Sequence, residues 1–174
     1  IGQENIEKLY KPNKRKAILQ GGEEHSSHIE ASFNAEANYE NAIRKNYVRV
    51  VSCNTTGLSR SLYALDKNIG VSKARATLIR RASDPAKIKE GPINAIIPSF
   101  ELPSHHGHDV RTILPHIEVF STAVIVPTTL MHMHVLSVKL KRDFTISEVI
   151  EAFKKSTRIL VIPKSDRISS TAEI

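Results

Sequence analysis

The chain has 174 residues, 40 % of them hydrophobic and none of them tryptophan, which suits one domain or one and a half with a core of Ile, Val, Leu and Ala. A single cysteine excludes an intrachain disulfide, and no run approaches the roughly 18 apolar residues needed to span a bilayer, so a reducing cytoplasm is the expected location. The net charge of +7 and pI near 9.6 fit nucleic acid or anionic small molecules, but the densest basic cluster is only Lys11, Lys14, Arg15 and Lys16 and few aromatics could stack bases, so an anion pocket on a solvated surface is expected and no nucleic-acid or membrane partner.

Lys16–Gln20 reads as a short strand running into Gly21-Gly22, a turn that lets backbone approach a ligand. Residues 35–43 read as a short helix, and Asn46–Val51 as the strand that delivers Cys53. Leu58, Leu62, Leu65 and Ile69 then recur at helical spacing, and Gly70 ends the helix. Ala74–Ile79 is a strand leading into Arg80-Arg81. The stretch 84–103 carries four prolines and is dominated by loop. Thr122–Val126 and Val135–Leu140 are further strands, Thr145 and Glu148 form a capping box opening a helix with Val149, Ile150 and Phe153, and Arg158–Ile162 is a last strand. No internal repeat is present. A strand-rich second half with interspersed helices argues for an α+β layer of sheet covered by helices.

Cys53 closes an apolar β-type run and is followed by Asn54-Thr55-Thr56-Gly57. At a strand-to-helix junction, first-turn N–H groups and the helix dipole stabilise a thiolate, the form that attacks carbonyl carbon. A buried structural cysteine is the commoner fate of a lone Cys. The polar neighbours Ser52, Asn54, Thr55 and Thr56 speak against a dry core. Three further clusters could carry chemistry: the histidine-rich turn Ser104-His105-His106-Gly107-His108, the run Met131-His132-Met133-His134, and Arg80-Arg81. His132 and His134, two apart, would share a face if extended and could chelate a metal together. Loop histidines also bind anions or simply lie exposed. A histidine near Cys53 would serve as its general base, but spacing alone does not choose among the eight.

Taken in order, Ser52-Cys53-Asn54-Thr55-Thr56-Gly57, Gly91-Pro92-Ile93-Asn94-Ala95-Ile96, Pro103-Ser104-His105-His106-Gly107 and Val126-Pro127-Thr128-Thr129-Leu130-Met131-His132 closely resemble the archaeal type of phosphorylating glyceraldehyde-3-phosphate dehydrogenase. The cysteine box of the bacterial and eukaryotic branch reads Ser-Cys-Thr-Thr-Asn, unlike the form here. The resemblance implies oxidation of D-glyceraldehyde 3-phosphate to 1,3-bisphosphoglycerate with NAD or NADP and inorganic phosphate, in a homotetramer. It implies that Cys53 is the nucleophile that passes through a thiohemiacetal and a thioester. It implies that His132 is the base, that Ser52 and Asn54 flank the reacting carbon, and that His106 and Gly107, with His105 beside them, hold the substrate or its phosphate. Gly22 and Arg81 match cofactor contacts, and no metal is implied.

The family begins with a strand and a glycine-rich turn that hold the pyrophosphate, and nothing in this sequence resembles them. Both ends of the chain read as cut edges. The expected organisation is therefore the last part of a Rossmann-type α/β domain at 1–52, followed at 53–174 by an α+β catalytic domain with a mixed, largely antiparallel sheet covered by helices. Such a segment is expected to be inactive by itself. A scaffold fragment that keeps the fold without turnover, a related semialdehyde dehydrogenase and a histidine metal protein are the alternatives.

Overall fold

The computed structural model describes residues 2–20, 23–83 and 91–174. Two sheets organise them. The first is parallel, with strands β1 (Ala17–Leu19), β2 (Ala31–Phe33) and β3 (Tyr47–Val50) in the order β1-β3-β2. Ile18 lies opposite Val48, and Ser32 opposite Arg49. Beneath it, the short helix α1 (Gly2–Asn5) runs into a π-type turn, Ile6–Tyr10, whose Ile6 is fully buried with Leu19 and Ile29.

Helix α2 (Cys53–Asn68) leaves the end of β3. Ser52 caps it by accepting the Thr55 N–H, so the helix starts at the cysteine itself. Its far end is set by Gly70, whose φ of +91° is left-handed backbone that glycine adopts without a Cβ penalty. Strand β4 (Val71–Arg81) follows and is the centre of the second sheet. It pairs parallel with β6 (Glu118–Val126) and antiparallel with β7 (Met133–Leu140). The two-residue β5 (Ile97–Pro98) adds antiparallel to the outer edge of β6. Two of the three pairings are antiparallel, as the fold-class expectation required.

Alternation along the strands gives this sheet two unlike faces. Ala74, Ala76 and Leu78 of β4 and Val119 and Ala123 of β6 point to one side, where Leu58, Leu62 and Leu65 of α2 cover them. Val110 of helix α3 (His105–Arg111) and Ile113, Leu114 and Ile117 after it complete this core. Removing such side chains from water stabilises the fold by roughly 1.5–3 kcal/mol apiece. Helix α4 (Ile146–Lys154) opens on the expected capping box and contributes Ala152. On the opposite face, Phe120, Met133 and Val135 lie exposed.

Several sequence expectations need correction. Residues 35–43 do not form an α-helix; only a 3-10 turn, Tyr39–Ala42, is present. Asparagine side chains satisfy the local backbone instead: Asn34 N–H donates to Asn38 Oδ1 at 2.9 Å, and Asn38 Nδ2 donates to the Ser32 carbonyl at 3.0 Å. Arg158–Ile162 is not a strand, and Leu160 is 83 % exposed. The histidine-rich "turn" is the first half of α3. Arg80 and Arg81 are the last residues of β4 rather than its sequel, and Met133 and His134 lie within β7 rather than before it.

The first sheet is joined to α3 through Arg49, which is 1 % exposed. Its Nε donates to Ser32 Oγ at 2.8 Å, Nη1 to the Glu23 carbonyl at 3.0 Å and Nη2 to Asp109 of α3 at 2.9 Å. A buried cation so fully satisfied tolerates no loss of its head group. Arg49→Leu strands Asp109 and the Glu23 carbonyl, and is expected to cost about 3–5 kcal/mol. Chemical denaturation reads this directly; a midpoint unchanged from the parent protein would refute the role.

Candidate active site

Cys53 is exposed at the first position of α2. The reason it is neither strand nor core is local: β3 ends at Val50, Ser52 takes the N-cap geometry, and the thiol emerges where the first helical N–H groups have no intrahelical partner. Against it stands His132, with Nε2 at 3.4 Å from Sγ. Among the histidines, the fold thus selects His132 as the ring on the sulfur, which sequence spacing could not do. Met131, with φ of +61°, turns the chain immediately before the strand and presents the ring.

The other ring nitrogen is engaged as well. The Arg81 backbone N–H donates to His132 Nδ1 at 3.1 Å. With Nδ1 accepting, the neutral ring carries its proton on Nε2 and donates it to sulfur. That arrangement sets an N–H donor against the sulfur. It also bears on the expected base: accepting a second proton would force Nδ1 to give up its bond from Arg81.

Asn54, the next residue, is 3 % exposed. Its Nδ2 reaches Cys53 Sγ at 3.9 Å, and its Oδ1 lies 2.8 Å from His134 Nε2. His132 and His134 therefore do not chelate together; one meets the thiol and the other the neighbouring amide. Among the described residues no three His, Cys, Asp or Glu side chains are gathered as a metal would require. Burial lowers the His134 pKa, so this ring is neutral at physiological pH.

Around the thiol opens a cleft of about 580 Å³, reached by Ser52, Cys53, Asn54, Arg80, Arg81, His105, His106 and His132, with Gln20, Val50 and Val51 on its other wall. That wall is the carboxyl end of β1 and β3, where parallel sheets open crevices for ligands. Gly22 lies outside the described residues. Arg80 was passed over in the sequence except as one of a pair. Its Nε is buried and has no hydrogen-bond partner among the described residues. A desolvated guanidinium nitrogen without a partner is a place for an anion.

His106 behaves differently from its expectation as a phosphate ligand. It is 1 % exposed, and its pKa is pushed down to about 3, first by burial and then by the neighbouring charges of His105, Arg80, His134 and His132. A ring that stays neutral offers a phosphate no charge. What holds it is a serine network: Ser104 Oγ lies 3.3 Å from His106 Nδ1 and 2.7 Å from Ser121 Oγ, and Ser121 also takes the Gly107 N–H at 2.9 Å. Gly107 is here for space as well, since a Cβ would lie 2.8 Å from Ser121 Oγ. His105, by contrast, is exposed and stacks on His106 with ring centres 3.9 Å apart.

Architecturally this is a dehydrogenase-type catalytic domain. The solved structure of aspartate semialdehyde dehydrogenase II from Vibrio cholerae matches 73 % of the chain and 49 % of its own length with a TM-score of 0.60 and 15 % identity, a likeness of fold alone. Sequence takes the assignment further. Residues 52–171 match the C-terminal domain of glyceraldehyde 3-phosphate dehydrogenase, and the chain belongs to that family. The glyceraldehyde-3-phosphate dehydrogenases of Methanocaldococcus jannaschii, Methanopyrus kandleri and Methanothermus fervidus are 51 %, 50 % and 50 % identical to it over 100 % of the chain. These relatives place it with the archaeal type. The chain spans about half the length of the curated relatives it matches, 51 %, 50 % and 51 % of each.

Proposed function

We propose that the protein carrying this chain is a phosphorylating glyceraldehyde-3-phosphate dehydrogenase, oxidising D-glyceraldehyde 3-phosphate to 1,3-bisphosphoglycerate with NAD or NADP and inorganic phosphate. The observation that carries this reading is the Cys53–His132 contact of 3.4 Å at a helix N-terminus, inside a cleft that also holds Arg80. Residues 1–52 fit the closing part of a nucleotide-binding domain and 53–174 its catalytic partner; the family match beginning at Ser52 supports that division.

In this reading Cys53 Sγ, with the His132 Nε2 proton and the first turn of α2 against it, adds as the thiolate to the aldehyde carbon to form a thiohemiacetal. The carbonyl oxygen takes up the electron pair as an alkoxide. His132 Nε2 and the Asn54 amide are the donors placed to stabilise it. A nicotinamide cofactor, when bound, supplies the acceptor for the hydride. The crevice at the ends of β1 and β3 suits such a group, with Arg81 on its rim and Gly22 as the further contact carried over from the family resemblance. Loss of that hydride from carbon, as the alkoxide electron pair re-forms the C=O, leaves a thioester on Cys53; inorganic phosphate then attacks its carbonyl carbon, the C–S bond breaks, and Cys53 returns as thiolate with the acyl phosphate released. Arg80 is the cation suited to the substrate's phosphate or to the attacking one. Neutral His106, with Gly107 and Ser52, shapes the wall beside the reacting carbon, and exposed His105 adds a further donor.

Exposed Phe120, Met133 and Val135 on the open sheet face favour self-association, in keeping with a homotetramer. No described helix is long and apolar enough to cross a membrane. Together with a free, exposed thiol, this supports work in a reducing cytoplasm. The test is an assay of the full-length protein for cofactor reduction by glyceraldehyde 3-phosphate. Activity should require inorganic phosphate. Turnover of another semialdehyde, with none of this triose phosphate, would move the assignment to a related aldehyde dehydrogenase.

A further inference from the structure

We infer that His134 is a positioning residue for the nucleophile: by its hydrogen bond to Asn54 Oδ1 it turns the Asn54 amide nitrogen onto Cys53. The inference rests on the proposed reaction for its kinetic consequence, but the geometry stands without it. His134 lies opposite Leu78 in the β4–β7 pairing and shares the inward side of β7 with Leu136 and Val138. Its ring therefore reaches back under the first turn of α2 rather than out to solvent. Gly57 makes room for it there: a Cβ at that position would lie 3.3 Å from His134 Cε1.

Asn54 is buried, so both ends of its amide need partners. Turned one way, nitrogen faces the sulfur and oxygen faces His134; turned the other way, the sulfur meets an acceptor oxygen and loses the amide N–H. The first arrangement is a continuous chain from the imidazole N–H to Oδ1 and from Nδ2 to Sγ, over 2.8 Å and 3.9 Å. His134 donates to the carbonyl and so fixes which end of the amide meets the nucleophile. Cys53 thus has two imidazoles behind it: His132 touches the sulfur, and His134 acts through Asn54 without touching it.

The test is a double-mutant cycle in the full-length protein, reading kcat, the KM for the aldehyde, and the rate of Cys53 alkylation by iodoacetamide at fixed neutral pH. His134→Leu, which removes the donor, should lower kcat and the alkylation rate by about 10–100-fold, with KM changed by less than about twofold. His134→Gln, which keeps an N–H, should recover at least about tenfold of that loss. In an Asn54→Ala background, His134→Leu should cost no more than about twofold further. If His134→Leu is too poorly folded to assay, His134→Asn, polar but too short to reach Asn54, takes its place. Equal losses with and without Asn54, or no rescue by glutamine, would overturn the inference. Alkylation needs no substrate, so absence of triose-phosphate turnover with an intact cycle in alkylation would fault the proposed function alone.

Discussion

Cys53→Ser in the full-length protein is expected to lower turnover by at least about 10⁴-fold while leaving the fold intact, the signature of a lost covalent nucleophile. The thiol is exposed and the N-cap of α2 is supplied by Ser52, so the substitution removes no core contact and no cap. Stability should shift by no more than about 0.5 kcal/mol, as for other surface changes. A serine hydroxyl in the same place carries its proton at any physiological pH, and neither helix dipole nor imidazole is strong enough to remove it permanently. Binding of the nicotinamide cofactor should persist, since the sulfur adds to the aldehyde and not to the dinucleotide. Steady-state kinetics and a thermal melt read both halves of the expectation. Residual turnover within tenfold of the parent would remove Cys53 from the chemistry.

At His132 the decisive comparison is between two substitutions. The Arg81 N–H on Nδ1 makes His132 a donor at Nε2, and a donor can be replaced by an amide. His132→Ala should lower kcat by about 10²–10³-fold, the usual cost of losing one donor to a developing oxyanion. His132→Gln should regain at least a tenth of the parent rate. A ring acting as proton acceptor, as the family resemblance implies, makes a different demand: glutamine is no base, and both variants would then be slowed alike, by about 10²–10⁴-fold. Iodoacetamide labelling of Cys53 at fixed pH separates the same cases before any turnover, because the Nε2 donor lies on the sulfur with no substrate present. Glutamine and alanine behaving alike in both assays would return His132 to the role of base.

Where the sequence was read correctly, a single physical signal dominated. The heptad-like Leu58, Leu62 and Leu65, the Gly70 stop and the Thr145–Glu148 box are local features, and each stands where it was expected. The failures were non-local. Arg158–Ile162 has the composition of a strand but pairs with none of the described strands, and composition carries no information on partners. Residues 35–43 have good helix formers, yet the side chain of Asn38 takes up the backbone groups of Asn34 and Ser32 in place of a helical ladder. The site shows the same division. The Cys53 and His132 motifs lie far apart in the chain and meet only in the fold, and the burial of the His106 ring is likewise set by tertiary packing. Arg49 and Asp109 are far apart in the chain and gave no sequence signal of their pairing. The period-two pattern of β7 does hold one clue that went unused: with Leu136 and Val138 inward, His134 two residues earlier is inward too.

The Arg49 bridge crosses the point at which the family match begins. In sequence the C-terminal domain of the family matches from Ser52 onward. By energetics, the cation that closes the first sheet grips α3 through Asp109, whose other carboxylate oxygen accepts from Thr55 in the first turn of α2 at 3.4 Å. Detaching the first sheet would leave that carboxylate without its cation, at the back of the helix bearing His106 and under the turn bearing Cys53. The first sheet and the segment from Ser52 onward are thus tied together at Asp109, beneath the Cys53–His132 contact, and loosening one is expected to disturb the other.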